Sequence, residues 1–211
     1  MPKSYNDGCL LAHALDLIGD RWVLLIVREL MLGPKRFGAI RAGLPAIATN
    51  ILTQRLEEMT AAGLIVHKVL PPPATVPVYD LTPAGLALLP VVEALCHWGG
   101  RQPGHDPRRF ISPTALMLSM RAVGSRQGAP MVAGFDMGDE AFEVRVGDGD
   151  YAVARVAEPQ VPLRFAGPAN GIAALVYGPR PVAMTVKTGP GRVTGDLTEA
   201  QEFVNRFRLP T

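Results

Sequence analysis

The chain has 211 residues, 48% of them apolar, and a formal net charge of +2. That is enough for one large or two small cores, and the charge is too small to announce a nucleic-acid partner by itself. Two cysteines, Cys9 and Cys96, exclude a disulfide framework. No apolar run is long enough to span a membrane, and the start lacks the apolar core of a secretory signal, so no membrane partner and a cytoplasmic location are expected.

Taken in chain order, Cys9 to Ile18 reads as a short helix, with Leu10, Leu11, Ala14, Leu15 and Ile18 at spacings of three and four. Asp20 then suits the N-cap of a helix from Arg21 to Leu32, which is apolar on most sides and predicted to be buried. Gly33-Pro34 stops it. A short helix follows at Arg36–Ala42, and after Gly43 and Pro45 another runs over Thr49–Ala62. In that helix Leu52, Leu56 and Met59 mark the inner stripe, with Asn50, Thr53, Gln54 and Glu57 opposite. Gly63 fits its C′ position. Two β runs, Leu64–Leu70 and Pro77–Leu81, flank a proline-rich tip. Thr82-Pro83 starts a helix expected to reach Trp98 with a bend at Pro90.

Gly99 to Pro113 is rich in Gly, Pro and charge, which predicts a domain of residues 1–100, a linker at 101–113 and a second domain at 114–211. There, Thr114–Val123 reads as a helix. β runs are predicted near 131–136, 141–146, 151–156 and 161–166, a helix at Ala169–Tyr177, and further strands at 181–187 and 192–195. Thr198 with Gln201 forms a capping box opening a last helix, whose apolar face is Ala200, Phe203, Val204 and Phe207. The fold class is α+β.

Helix, helix, short helix, longer helix, β-hairpin is the order of a winged helix-turn-helix. The second helix of such a turn enters the major groove, so its outer face needs short polar groups that meet base edges. Thr49, Asn50, Thr53 and Gln54 are the candidate base contacts. Between Gly33 and Leu56 the charged residues are Lys35, Arg36, Arg41 and Arg55, with no acid. These, with His67 and Lys68 on the wing, are the candidate phosphate contacts. A three-helix bundle whose hairpin touches protein is the alternative from pattern alone.

Cys9, Ile18-Gly-Asp-Arg-Trp22, Arg36-Phe37 with Ile40, Leu52-Thr-Gln-Arg-Leu-Glu-Glu-Met59, Gly63-Leu-Ile65 and Tyr79-Asp-Leu-Thr-Pro-Ala-Gly85 together resemble the HxlR family of bacterial winged-helix regulators. The resemblance implies a homodimer built through the terminal helices and bound to double-stranded DNA at a two-fold symmetric operator. The apolar Leu86, Leu88, Leu89, Val91, Val92, Leu95 and Trp98 exceed what one small domain can bury, so dimer contact is also expected physically. Where the family places a capping serine this chain has Ala48, which leaves the cap to Thr49 or Asn50. Lys and Arg are also thinner on this helix than in many relatives, so binding leans on the turn and wing.

The resemblance further makes Cys9 a candidate redox sensor, because some members carry such a cysteine there. A thiol in a first helical turn feels the positive dipole end, which favours thiolate; the alternative is a half-buried small hydrophobe. Cys9, His13, Cys96 and His97 lack finger-like zinc spacing, so neither metal nor other cofactor is expected. No nucleophile elbow, Walker loop or dinucleotide fingerprint occurs, and all four histidines (His13, His67, His97 and His105) lie in the first half. Enzymatic activity is therefore not expected.

In the second domain, Phe142, Val144 and Val146 alternate with Glu143 and Arg145, as in a sheet with one apolar face. Val161-Pro-Leu-Arg-Phe-Ala-Gly-Pro168, Ala173–Gly178 and Gly191–Thr198 look like the sterol carrier protein family, in shortened form. That resemblance implies an apolar tunnel for a hydrophobic small-molecule effector, with candidate lining residues Met117, Phe135, Phe142, Leu163, Phe165, Leu175, Phe203 and Phe207. Alternation alone is met equally by a plain packed core. A lipid carrier whose helical half serves assembly is the rival for the whole chain, and the basic stretch at 33–56 favours the regulator.

Overall fold

A computed structural model describes residues 4–209, which divide into two compact units on either side of Val92 and Glu93. The first contains α1 (Leu10–Ile18), α2 (Val23–Leu30), α3 (Phe37–Gly43), α4 (Thr49–Ala61), β1 (Ile65–Val69), β2 (Pro77–Leu81), α5 (Pro83–Leu86) and the start of α6 (Leu89–Gly100). Its core centres on α2, as its apolarity requires: Ile26 and Val27 are fully buried, as are Ile40 of α3 and Leu52, Leu56 and Met59 of α4 to within 2%. No residue of α1 is buried.

Local chemistry sets most boundaries, with three corrections in this unit. Asp20 does not cap α2: its carboxylate accepts from the Trp22 N–H at 2.9 Å within a turn closed by Val23, so the helix begins at Val23 with Trp22 as N-cap. Neither Thr49 nor Asn50 caps α4, whose N-cap is Ala48 without a side-chain bond. The predicted helix from Thr82 to Trp98 is two helices, α5 and α6, interrupted at Ala87 and Leu88. Pro90 has no N–H for the Leu86 carbonyl and its ring crowds that turn, so the bend becomes a break. Thr82 does cap α5, accepting from the Gly85 N–H at 3.2 Å, and its hydroxyl donates to the Gly63 carbonyl at 2.6 Å.

The antiparallel β1–β2 hairpin runs from Ile65 opposite Leu81 to Val69 opposite Pro77. Lys35 adds a third backbone segment, exchanging both hydrogen bonds with Tyr79 at 3.0 and 2.9 Å. The turn after α2 is thereby tied to the wing.

The second unit opens within α6 and continues with α7 (Pro113–Val123), β3 (Met131–Asp136), β4 (Ala141–Gly147), β5 (Asp150–Val156), β6 (Arg164–Ala166), α8 (Ala169–Tyr177), α9 (Val182–Thr188), β7 (Arg192–Thr194) and α10 (Leu197–Val204). The sheet order is β5-β4-β3-β6-β7, with β6 parallel to β3 and every other pair antiparallel. Alternation gives it one apolar face: Phe135, Phe142, Val144, Val146 and Phe165 are fully buried, as is Phe203 of α10. The chain is α+β.

Here the strand expected at 181–187 is helix α9. Its Val-x-x-Thr-Val pattern has β propensity, but Pro181 starts it and Gly189 ends it. The Gln201 side-chain carbonyl accepts the Val182 N–H at 2.8 Å, fixing the helix start. Gln201 is thus not half of a capping box. Asp196 caps α10 instead, accepting from the N–H groups of Thr198 and Glu199 at 2.8 and 2.9 Å. The run at 161–166 shortens to Arg164–Ala166.

Candidate nucleic-acid interface

Helix α4 follows α3 after a short turn, Leu44–Ala48, in which Leu44 and Ile47 are buried. Those two side chains and the stripe Leu52, Leu56, Met59 fix the rotation of α4, which leaves Thr49, Asn50, Thr53 and Gln54 exposed together. The Thr53 hydroxyl donates to the Thr49 carbonyl at 3.1 Å, and the Gln54 amide donates to Glu58 at 2.9 Å. Asn50 has a full set of side-chain donors and acceptors facing solvent.

The cations divide sharply. Lys35 is 3% exposed, and its ammonium lies 3.1 Å from the carboxylate of fully buried Glu29. Glu29 also accepts from Arg28 at 2.7 Å. Lys35 is therefore withdrawn from the phosphate-contacting set: its backbone holds the wing while its charge points inward to Glu29. Arg55 is also spoken for, pairing with Asp20 at 3.4 Å and with Glu58. It positions α4 against the start of α2. Arg36 is exposed, and Arg41 is half-buried with its guanidinium donating to the Pro45 carbonyl at 3.3 Å. On the wing, Lys68 pairs with Asp80 at 2.6 Å, and the exposed His67 ring lies 4.7 Å from that of Tyr79. Of the four positive charges between Gly33 and Leu56, two remain for an external anion. Sequence reasoning missed Glu29, whose only signal was one acid beside Arg28 in a mostly apolar helix, and Asp20 as the partner of Arg55.

Cys9 is an exposed free thiol at the N-cap of α1. It makes no side-chain cap bond, yet the N–H groups of Ala12 and then Leu11 at the open helix end stabilise the thiolate and lower its pKa. The folded pKa is depressed, so the thiolate's contribution to stability is present above the unfolded value and lost as pH falls through the folded one. In a Cys96→Ser background, the pH midpoint of Cys9 alkylation should therefore lie lower in the native chain than in urea. Equal midpoints would show that the helix end does not act on the sulfur.

The eight residues of the expected tunnel come together in the second unit, each at most 2% exposed. Their rings pack on one another: Phe135 on Phe165 at 5.2 Å, Phe203 on both at 6.0 and 5.9 Å, and Phe207 on Phe203 at 5.3 Å. These are the spacings of a close-packed aromatic core.

The HxlR-like helix-turn-helix family model matches residues 17–106. YvaP of Bacillus subtilis, an uncharacterized HTH-type transcriptional regulator, is 36% identical over 85 residues, which span 40% of this chain and 79% of YvaP. The chain belongs to the HxlR-like helix-turn-helix family. Another relative of this HxlR-like chain, the HTH-type transcriptional regulator YodB of B. subtilis, is 37% identical over 93 residues, 43% of this chain and 83% of YodB. The solved structure of quinone-bound YodB from B. subtilis shows 34% identity, covers 44% of this chain and 99% of that one, and has a TM-score of 0.39. The family match ends at residue 106, so most of the second unit lies outside it.

Proposed function

We propose that this HxlR-like chain is a sequence-specific, DNA-binding transcriptional regulator that presents α4 to the major groove. The observation that carries this is the exposed polar face of Thr49, Asn50, Thr53 and Gln54, held outward by a fully buried opposite stripe. Its relatives are named transcriptional regulators. Arg36, Arg41, Lys68 and His67 flank that face as phosphate contacts, with Lys68 exchanging Asp80 for phosphate. The regulator acts as a homodimer on a two-fold symmetric operator. Support for this is α1, none of whose residues is buried and on which the apolar Leu10 is 86% and Leu11 66% exposed.

Binding to the DNA flanking the protein's own gene, measured across a salt series, tests the proposal. Asn50→Ala should cost about 1–3 kcal/mol per half-site on the preferred sequence and little on random duplex. Arg36→Ala should weaken both alike and lower the salt slope by about 0.9 for each phosphate that is no longer neutralised. Asn50→Ala binding indistinguishable from wild type on both duplexes would remove α4 as the reading element. The exposed Cys9 thiol favours an oxidant- or electrophile-sensing role on the same protein; operator release by Cys9→Ser identical to wild type under quinone or peroxide would remove it.

A further inference from the structure

Away from α4, the second unit carries a concavity of about 510 Å³ whose lining includes His97, Arg101, Ser125, Asn205, Arg206 and Arg208, without a carboxylate. It lies where the ends of α6, α7 and α10 converge. Its floor is held by backbone: the Ser125 N–H donates to the Arg206 carbonyl at 2.7 Å, and Gly124 bridges to Phe207. Arg206 is set in place by a bond from its guanidinium to the Ala129 carbonyl at 3.1 Å. Among the described residues no ion pair involves Arg101, Arg206 or Arg208. The Asn205 side-chain oxygen is taken by Gln201 at 2.9 Å, so its amide N–H₂ is left to donate. The lining thus includes Arg101 and Arg208, the His97 imidazole, an amide donor and a hydroxyl, with Arg206 contributing its backbone while its guanidinium is held at Ala129, in a space within the size range of small-molecule sites. Exposed arginines with no nearby acid are ordinarily solvated singly. Arg101 and Arg208 at one concavity, beside these further donor groups, match an anion that accepts several forked N–H bonds at once.

We propose that this concavity binds a small organic or inorganic anion bearing a carboxylate or phosphate group. The assignment is independent of the DNA-reading role of α4 and is tested without operator. Thermal unfolding of the full chain is followed with increasing inorganic phosphate or citrate against sodium chloride of equal ionic strength. Either anion should stabilise the wild type saturably beyond chloride, and the one that acts identifies the group recognised. Arg101→Ala/Arg208→Ala should weaken that effect more than about tenfold, since each charge-assisted bond removed carries more than a neutral one. Both residues are exposed, and unchanged circular dichroism in chloride verifies the fold; Arg208→Gln alone serves if the double variant does not fold. Stabilisation no greater than by chloride, or undiminished in the variants, overturns the assignment. So does a result in which the variants lose only affinity for random duplex DNA, which would make the patch a contact for nucleic-acid backbone.

Discussion

Replacing Glu29 by alanine is expected to destabilise the first unit by about 3–5 kcal/mol, because it leaves a buried ammonium without its counter-charge. Glu29 is fully buried, Lys35 sits 3.1 Å away with its side chain 1% exposed, and Arg28 closes the other carboxylate oxygen at 2.7 Å. Arg28 keeps partial contact with water and can turn outward, whereas the Lys35 side chain is enclosed, on a backbone segment that itself bridges to Tyr79. The damage should therefore spread to the wing. Urea unfolding followed by Trp22 fluorescence in a Trp98→Phe background reads it directly. Glu29→Leu combined with Lys35→Met should recover most of the loss, since an apolar pair needs no desolvation of charge. A cost below about 1 kcal/mol for Glu29→Ala would mean that Lys35 reaches water, and would return it to the phosphate-contacting set.

Phe203→Ala should cost about 3–5 kcal/mol in the second unit, from lost transfer energy and the cavity left behind. The ring is fully buried and touches three others, Phe135, Phe165 and Phe207, at 5.3–6.0 Å. The size of the effect also discriminates between two uses of this interior. In a close-packed core the truncation costs the full amount and the hole left behind takes up a small apolar probe such as benzene. In a tunnel built to hold a hydrophobic effector, as the sterol-carrier resemblance implies, the ring already faces open space. The variant would then lose little stability while lipid binding falls. Calorimetric unfolding with and without a fatty-acid probe separates the two.

Much of the first unit was readable from residue spacing because its signals are local. Gly33-Pro34, Gly63 and Thr82-Pro83 act through their own backbone chemistry, and the 3.6-residue stripe Leu52–Leu56–Met59 names the buried face of α4 without knowledge of what covers it. Exposure of Asn50 and Gln54 follows from that stripe by geometry. In the second unit the alternation of Phe142, Val144 and Val146 located the sheet for the same reason.

Helix ends and caps were misplaced by a residue or a turn for local reasons at Asp20, Ala48 and Pro90, while the other errors fall where a partner from another element outweighs local preference. Val182–Thr188 has strand-forming residues, but the Gln201 side chain, nineteen positions on, holds its first N–H in a helix. Lys35 looks like any basic turn residue until Glu29 and Tyr79 close around it. The aromatic residues of the second unit read as interior from their pattern, but pattern does not say which rings meet: Phe203 packs with Phe135, Phe165 and Phe207 only once β3, β6 and α10 are brought together. Likewise Arg101, Arg206 and Arg208 are scattered over more than a hundred positions, and no periodicity relates them. Backbone preference and side-chain period belong to the chain itself, so the helices of the turn, the exposed polar face of α4 and the α+β class were written in it. Charge pairing and the convergence of remote arginines exist only once the chain has folded, because an ion pair or an anion site depends on distance in space rather than along the sequence.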